Sequence, residues 1–223
     1  MKTIISIIFL LTGLCIQNPD SKYPDFTNIS YSQISENNEW EILTSVEGDL
    51  NNDSLVDLVL ILESTDSIFE KRCESCDSLR NKARIILVLL QEADTHRVIL
   101  QNNHFIARPD EGGMLSFLEP EISIKNHQLI ISYEYTRGNI AYTFAYEKDD
   151  LVLLDARSAG VSGGYFESDH FDFTNKMILS ESGSISDEST NTDTIPMNHI
   201  ERFRKLSDME IMYQWEVAEG KSL

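Results

Sequence analysis

The sequence has few basic residues. Its 223 residues include 18 lysines and arginines against 37 aspartates and glutamates, which gives a formal net charge of −19. No Lys/Arg cluster offsets this excess, and a surface of this kind repels a phosphate backbone. Nucleic-acid binding is therefore the function that the composition argues against most strongly, whereas an acidic surface is compatible with cation binding.

Long apolar runs are also scarce. The opening MKTIISIIFLLTGLC combines Lys2 with an apolar run from Ile4 to Leu11 that is too short to span a bilayer, which predicts a signal peptide over residues 1–15. LTGLC resembles the box of bacterial lipoproteins, with Leu14 where a small residue is usual. A lipid anchor at Cys15 and ordinary cleavage after Cys15 both stay open, so the expected location is periplasmic, secreted or in the outer membrane as a lipoprotein. No later segment is apolar enough to cross a membrane.

Only three cysteines occur. Once Cys15 is removed or lipidated, Cys73 and Cys76 remain, in KRCESCDSLR. A redox C-x-x-C opens a helix in a thioredoxin-like βαβ unit, which this sequence does not predict. A zinc site needs a second pair of ligands, and none follows nearby. In the oxidising compartment that an export signal implies, the pair is expected to be a local disulfide or two free thiols in a surface loop.

Catalytic motifs are equally scarce. The sequence has neither a P-loop nor a dinucleotide fingerprint, and its five histidines form no H-x-x-x-H pair. GVSGG, residues 160–164, fits the G-x-S-x-G pattern with Ser162 as the nucleophile, but that chemistry needs a strand, a sharp turn and a helix. The following YFESDHFDF alternates as a strand does. We therefore interpret GVSGG as a glycine turn between strands and keep a serine hydrolase as the alternative function.

What the sequence does contain is a series of strands. Period-two alternation between residues 121 and 156 predicts four antiparallel strands joined by short turns. Residues 16–40 are interpreted as a polar N-terminal arm and residues 41–215 as a single β domain, with mobile polar insertions near 64–82 and 180–196. The predicted fold class is mainly β, an antiparallel meander or sandwich with few short helices.

Several aromatic residues occur at strand spacing in this section: Tyr133, Tyr135, Tyr142, Phe144 and Tyr146. Their alternation places them on one face of each predicted strand. We expect them to form core and cross-strand packing rather than a platform for sugars.

An acidic loop precedes one apolar strand, in EGDLNNDSLVDLVLIL, residues 47–62. Its candidate ligands stand at positions 1, 3, 5, 7 and 9: Asp49, Asn51, Asp53, Leu55 and Asp57. Calcium takes six to eight oxygen ligands, and side chains at four of these positions with the carbonyl at the seventh can wrap around it. Without a cation, three closely spaced carboxylates repel one another. The loop therefore predicts a structural calcium ion that connects two strands.

This loop resembles the FG-GAP/VCBS class of calcium loops, in which GDxNxDxxxD precedes an apolar strand. More broadly, residues 41–179 resemble uncharacterised secreted bacterial proteins that carry GDLNxD…DLVLVL, a strand like RIILVLL, an ISIKN-x-LxI hairpin and a YTFxY hairpin in this order. The resemblance implies a secreted β fold with a calcium loop and brings no activity with it. Ser54 replaces the usual glycine at position 6 and Leu60 the acid at position 12, so we expect weak affinity, on the order of 10⁻⁴ M.

A closed propeller needs several repeated blades, and this sequence has a single acidic loop without repeats. The sequence therefore does not predict a closed propeller. The sequence thus favours an exported, non-enzymatic envelope protein with a structural or binding role, whose partner is a protein or a glycan. It predicts calcium as the one cofactor and no catalytic residues.

Overall fold

The computed structural model describes residues 23–73, 75–186, 189–198 and 200–223. The predicted signal peptide, residues 1–15, and its Cys15 lie outside these residues. The described chain is mainly β, as predicted, with antiparallel sheets and one short α-helix. Within the same residues, no helix has the length and apolar character that a membrane crossing requires.

The elements follow one another along the chain with short connections. In order they are α1 Tyr31–Ser35, β1 Trp40–Gly48, β2 Asp57–Ser64, β3 Ile68–Lys71, β4 Ser78–Asn81, β5 Arg84–Glu92, β6 Thr95–Asn102, β7 Glu121–Lys125, β8 Gln128–Tyr135, β9 Gly138–Glu147, β10 Asp150–Ser162, β11 Tyr165–Asp172, β12 Met177–Ser184, β13 Thr190–Pro196, β14 Glu216–Ala218 and β15 Lys221–Ser222. Short 3₁₀ turns occur at Pro109–Gly112 and Leu206–Asp208.

The first sheet has four antiparallel strands in the order β1–β2–β5–β6. All eight residues of β2 and the first six of β5 are buried. Successive side chains face different cores, since Val59 and Ile61 belong to one hydrophobic cluster and Leu60 and Leu62 to another. The same alternation in β5, with Ile86 in the first cluster and Leu87 in the second, shows that the apolar run over residues 84–92 is a strand covered on both faces.

The second sheet is a seven-stranded meander in which β7 to β13 pair in sequence order. Its first four strands are those predicted between residues 121 and 156, and the short turn between the first two, at Asn126 and His127, has positive φ at both residues, 51° and 61°. Leu129 and Tyr142 from this sheet share one hydrophobic cluster with Val59 and Ile86 from the first sheet. The two sheets therefore enclose a common core, as in the predicted sandwich.

The edges of the two sheets approach each other at β1 and β7. A Cβ atom added to Gly48 would lie 2.7 Å from Cγ2 of Ile124, which is closer than side chains pack. Glycine at this position therefore allows the strand that leads into the acidic loop to lie directly against the second sheet.

The prediction of a loose arm over residues 16–40 does not hold for residues 23–40. Phe26 and Ile34 are buried against the outer face of the first sheet, and Trp40 begins β1. The segment also pairs with β6, because the backbone N–H of Asn28 donates to the carbonyl of Val98. A few widely spaced apolar residues anchor this segment, and such spacing has no helical or strand period.

Both predicted insertions contain strands. Residues 64–82 form the β3–β4 hairpin, closed by a disulfide between Cys73 and Cys76 that settles the choice left open by the sequence. Residues 180–196 include the end of β12 and all of β13, which pair with each other. Six of the seven side chains of β13 are exposed, in agreement with a composition that offers little to bury. The pairing was missed because Ser and Thr strands show no apolar face.

Two arginines are fully buried beside the first sheet. Arg108 donates to both carboxylate oxygens of Glu70 at 2.7 and 2.8 Å, and Arg84 donates to Glu63 at 2.8 Å. Burial alone would raise the pKa of Glu70, but the hydrogen bonds and the charge of Arg108 lower it below its ordinary value. Glu70 belongs to β3, so this buried pair fastens the β3–β4 hairpin to the rest of the domain.

Candidate functional site

The acidic loop, residues 49–57, connects β1 to β2 at the boundary between the two sheets. His127, in the β7–β8 turn, places Nδ1 2.9 Å from the carbonyl oxygen of Asp49. The acidic loop of the first sheet therefore touches a hairpin of the second. An ion held here would stabilise the contact between the sheets as well as the β1–β2 connection.

Three of the five predicted ligands converge in this loop. The two carboxylate oxygens of Asp49 accept from the backbone N–H groups of Asp53 at 3.2 Å and Ser54 at 3.1 Å. The side chain of Asn51 accepts from the Asp53 N–H at 3.1 Å and donates to the Asp53 carboxylate at 2.9 Å. The structure thus brings Asp49, Asn51 and Asp53 together, as the spacing predicted.

The backbone of the loop is strained where a glycine was expected. Ser54 has a φ of 70° and Asn52 a φ of 61°, both in the left-handed region. Asparagine adopts this region with little penalty, whereas serine adds roughly 1 kcal/mol. The loop therefore keeps a glycine-like turn at position 6 although serine occupies it.

The two remaining predicted ligands lie differently. Asp57 is fully buried, and its oxygens accept from the backbone N–H groups of Leu50 at 2.8 Å and Gln91 at 3.1 Å. Its carboxylate thereby joins the loop to β5. Leu55 lies at the exposed tip of the loop and donates its N–H to Asp53 at 2.8 Å. Asp57 has a structural role that its place in the motif did not predict.

The chemistry of the loop fits calcium only partly. Asp49, Asn51 and Asp53 supply the hard oxygen donors that calcium prefers. In the described part of the chain, however, no group of three or more His, Cys, Asp or Glu side chains is arranged to hold a metal ion. Two carboxylates and one amide fall short of a complete ligand set, so the calcium site stays a prediction of weak affinity.

The GVSGG string forms a hairpin turn. Ser162 ends β10 and pairs with Tyr165, which begins β11, and the intervening Gly163 and Gly164 have φ values of 58° and 85°. Two positive φ values are typical of the tight turn between paired strands. A strand follows instead of the helix that a nucleophile elbow requires.

The histidine nearest to Ser162 along the chain does not support a catalytic role. His170 lies five residues beyond Tyr165 along β11, which corresponds to roughly 17 Å, and its ring contacts Asp155. Neither the turn nor His170 supports a serine hydrolase built on Ser162, which stays an alternative prediction.

The far end of the second sheet has an open inner face. Tyr133 and Ile140 form a cross-strand pair in the core and are fully buried. Two residues further along these strands, a row of paired residues crosses the sheet on the same side: Tyr135, Gly138, Gly160, Glu167, Ser182 and Asn191. Most of this row carries small or polar side chains, and here the inner face opens into a cavity of about 920 Å³, called the groove below.

Exposed side chains form the rim of the groove. Met114, Tyr165 and Tyr213 are 67%, 66% and 50% exposed, respectively. Tyr213 also has a φ of 65°, which is unusual for a bulky side chain. Its side chain hydrogen-bonds to Tyr135 at the groove, and burial raises the pKa of Tyr135 above its ordinary value. Backbone strain of this kind concentrates at functional sites.

The C-terminal hairpin closes one side of the groove through Lys221. Its ammonium donates to Glu167 at 2.5 Å, to the two oxygens of Asp169 at 2.7 and 2.9 Å, and to Ser180 at 3.0 Å. Burial alone would lower the pKa of Lys221, but its bonds to these carboxylates raise it above its ordinary value. Among the residues that the structure describes, the charged groups lining the groove are Arg137, Glu167, Asp169 and Lys221, and their formal charges cancel.

The sequence did not identify these groove residues. Tyr133, Tyr142 and Phe144 are core residues, as predicted, while Tyr135 borders the groove. The row forms only through the register of six paired strands. Among the aromatic residues of the groove, Tyr165 is the one next to a motif in the sequence, since it directly follows GVSGG.

Two features of the described residues thus bear on function. The acidic loop is a candidate ion site, and the groove is a candidate ligand site. No family model, no curated protein and no solved structure matches the chain.

Proposed function

We propose that this protein is an exported, non-enzymatic binding protein of the bacterial envelope that holds its ligand in the groove. The groove is the observation that carries the proposal. Its volume of about 920 Å³ lies within the range of about 300–1,000 Å³ that is usual for small-molecule sites. It combines exposed aromatic side chains with polar groups, which is the composition of a recognition surface rather than of an unfinished core.

The acidic loop has a supporting role in this proposal. A calcium ion bound by Asp49, Asn51 and Asp53 would relieve the repulsion between the two carboxylates. Since His127 links the loop to the second sheet, the ion would also stabilise the orientation of the sheet that carries the groove. The FG-GAP/VCBS resemblance supports this assignment.

Export is supported by two separate features. The N-terminal sequence has the order of a signal peptide, and the disulfide between Cys73 and Cys76 suits an oxidising compartment. Periplasmic, secreted and Cys15-anchored forms all agree with both features.

The proposal is tested by filling the groove. A Cβ atom on Gly160 would meet only the carbonyl oxygen of Arg137, at 3.6 Å, so Gly160→Trp should fold and occupy the floor. Thermal unfolding of the purified protein is measured against a library of sugars, peptides and small metabolites. We expect a ligand that raises the midpoint of the wild type and not that of Gly160→Trp.

A control variant separates loss of the groove from damage to the sheet. Leu179→Trp changes an exposed residue in β12 outside the groove and should keep the ligand response. A ligand that stabilises Gly160→Trp as well as the wild type contradicts the assignment of the groove. Turnover of glycosidase or esterase substrates by the purified protein contradicts a non-enzymatic role.

A further inference from the structure

We propose that the ligand of the groove is a neutral oligosaccharide, bound with its sugar rings against Tyr165 and Tyr213. This inference depends on the proposed function, because it names the ligand class of the same groove. Four properties of the groove support it, namely its charges, its hydrogen-bonding side chains, the pairing of its backbone and the exposure of its aromatic residues.

The charges of the groove favour an uncharged ligand. The chain as a whole carries −19, and its field repels anions such as acidic polysaccharides. A cationic ligand would need a free carboxylate, but Glu167 and Asp169 already bind Lys221 at 2.5 to 2.9 Å. The described lining of the groove is therefore electrically balanced on a strongly acidic protein, and a neutral ligand displaces none of the charges in this lining.

The polar side chains of the groove suit hydroxyl groups. Ser158, Ser182 and Asn191 line the floor, and serine and asparagine side chains can both donate and accept hydrogen bonds. Sugar hydroxyls also donate and accept, so the two sets are complementary. Gly160 lies two residues beyond Ser158 in β10, and a Cβ atom there would meet only the carbonyl oxygen of Arg137 at 3.6 Å, which leaves space for a ring to approach the sheet.

The backbone of the floor argues against a peptide ligand. Extended peptides commonly bind by adding a strand to an open sheet edge, where unpaired N–H and C=O groups are available. The floor belongs mainly to β9, β10 and β11, which are paired on both sides within the meander. Recognition on these three strands must therefore use side chains.

The rim of the groove carries two exposed tyrosines. Tyr165 is 66% and Tyr213 50% exposed, and both line the groove. A tyrosine offers an apolar ring with a polar tip, so the ring of Tyr165 can pack on the C–H face of a sugar while its hydroxyl stays hydrated. The hydrogen bond between Tyr213 and Tyr135 holds the second ring at the rim.

The test is a calorimetric titration of the calcium-containing protein with three classes of probe. The neutral class contains cellohexaose, maltohexaose, xylohexaose, laminarihexaose and chitohexaose. The anionic class is hexagalacturonate, and the third class is a mixture of uncharged hexapeptides. We expect at least one neutral hexasaccharide to bind, and hexagalacturonate to bind more weakly or not at all.

Variants test whether the oligosaccharide binds in the groove. Tyr165→Ala should weaken the hexasaccharide by about tenfold, the effect of losing one aromatic contact, whereas Tyr165→Phe should keep it because the ring remains. Phe69→Ala is the matched control, since Phe69 is 62% exposed on β3, outside the groove. An affinity that Tyr165→Ala leaves unchanged overturns the inference.

The remaining outcomes distinguish this inference from the proposed function. Peptide binding that Gly160→Trp abolishes, without sugar binding, overturns the oligosaccharide and leaves the binding function intact. Tighter binding of hexagalacturonate than of every neutral sugar also overturns the neutral oligosaccharide and leaves the binding function intact. A lack of binding in all three classes overturns the oligosaccharide, while the groove as a binding site is judged separately by the ligand library and Gly160→Trp.

Discussion

The two sheets use their faces in opposite ways. The central strands of the first sheet are buried on both faces, one against the common core and the other against residues 23–40. The second sheet covers the core with one end of its inner face and leaves the other end open as the groove. The closed region consists of continuous apolar runs, and the open region of Gly, Ser, Asn and Tyr. This difference agrees with the proposal that the first sheet supplies stability and the far end of the second sheet binds the ligand.

The largest effect is expected from the buried ion pair beside the closed sheet. Glu70→Ala leaves the fully buried Arg108 without its carboxylate partner, which should lower the free energy of unfolding by about 3–5 kcal/mol. Urea denaturation measures this loss. The control is Glu147→Ala, which removes an exposed partner of Lys148 and should change stability by less than about 1 kcal/mol. Equal losses in the two variants would contradict the stabilising role of the buried pair.

Calcium should have the next largest effect, and we expect it to act at the contact between the two sheets. At a concentration about 100 times the dissociation constant, a bound ion adds about 2.7 kcal/mol to the free energy of unfolding. We expect calcium, but not magnesium, to raise the thermal midpoint of the wild type and to leave Asp53→Ala unaffected. Asp66→Ala, an exposed aspartate outside the loop, should keep the response. An unchanged midpoint in calcium would mean that the acidic side chains only cap the backbone of the turn.

A smaller effect is expected from the strained position in the acidic loop. Ser54→Gly should relieve the left-handed backbone at φ 70° and stabilise the protein by up to about 1 kcal/mol, reduced by the greater freedom of glycine in the unfolded chain. Ser45→Gly, within β1, is the control and should destabilise, because glycine weakens a strand interior. Thermal unfolding in chelator measures both. Destabilisation by Ser54→Gly would show that serine makes a contact there that outweighs the strain.

Sequence reasoning worked best where burial is local. The apolar runs of β2 and β5 and the alternation of β7 to β10 predicted strands, because each strand reports its own environment. The convergence of Asp49, Asn51 and Asp53 followed from spacing within one loop.

Features that depend on distant residues could not be predicted in this way. Arg108 meets Glu70 across 38 positions, and the groove row takes one residue from each of six strands. Phe26 and Ile34 anchor the N-terminal segment without any period. Ser- and Thr-rich β13 lacks the apolar face by which a strand is recognised.

The smallest effect on stability is expected in the groove, and it completes the contrast between the sheets. Tyr165 is 66% exposed, so Tyr165→Ala should change the free energy of unfolding by less than about 0.5 kcal/mol. Phe144→Ala, in the common core of the same sheet, should cost about 3–5 kcal/mol. Urea denaturation of the two variants compares the two ends of one inner face. If Tyr165→Ala destabilised the protein as strongly as Phe144→Ala, the rim would be part of the core. The groove would then not be an open surface that is available to a ligand.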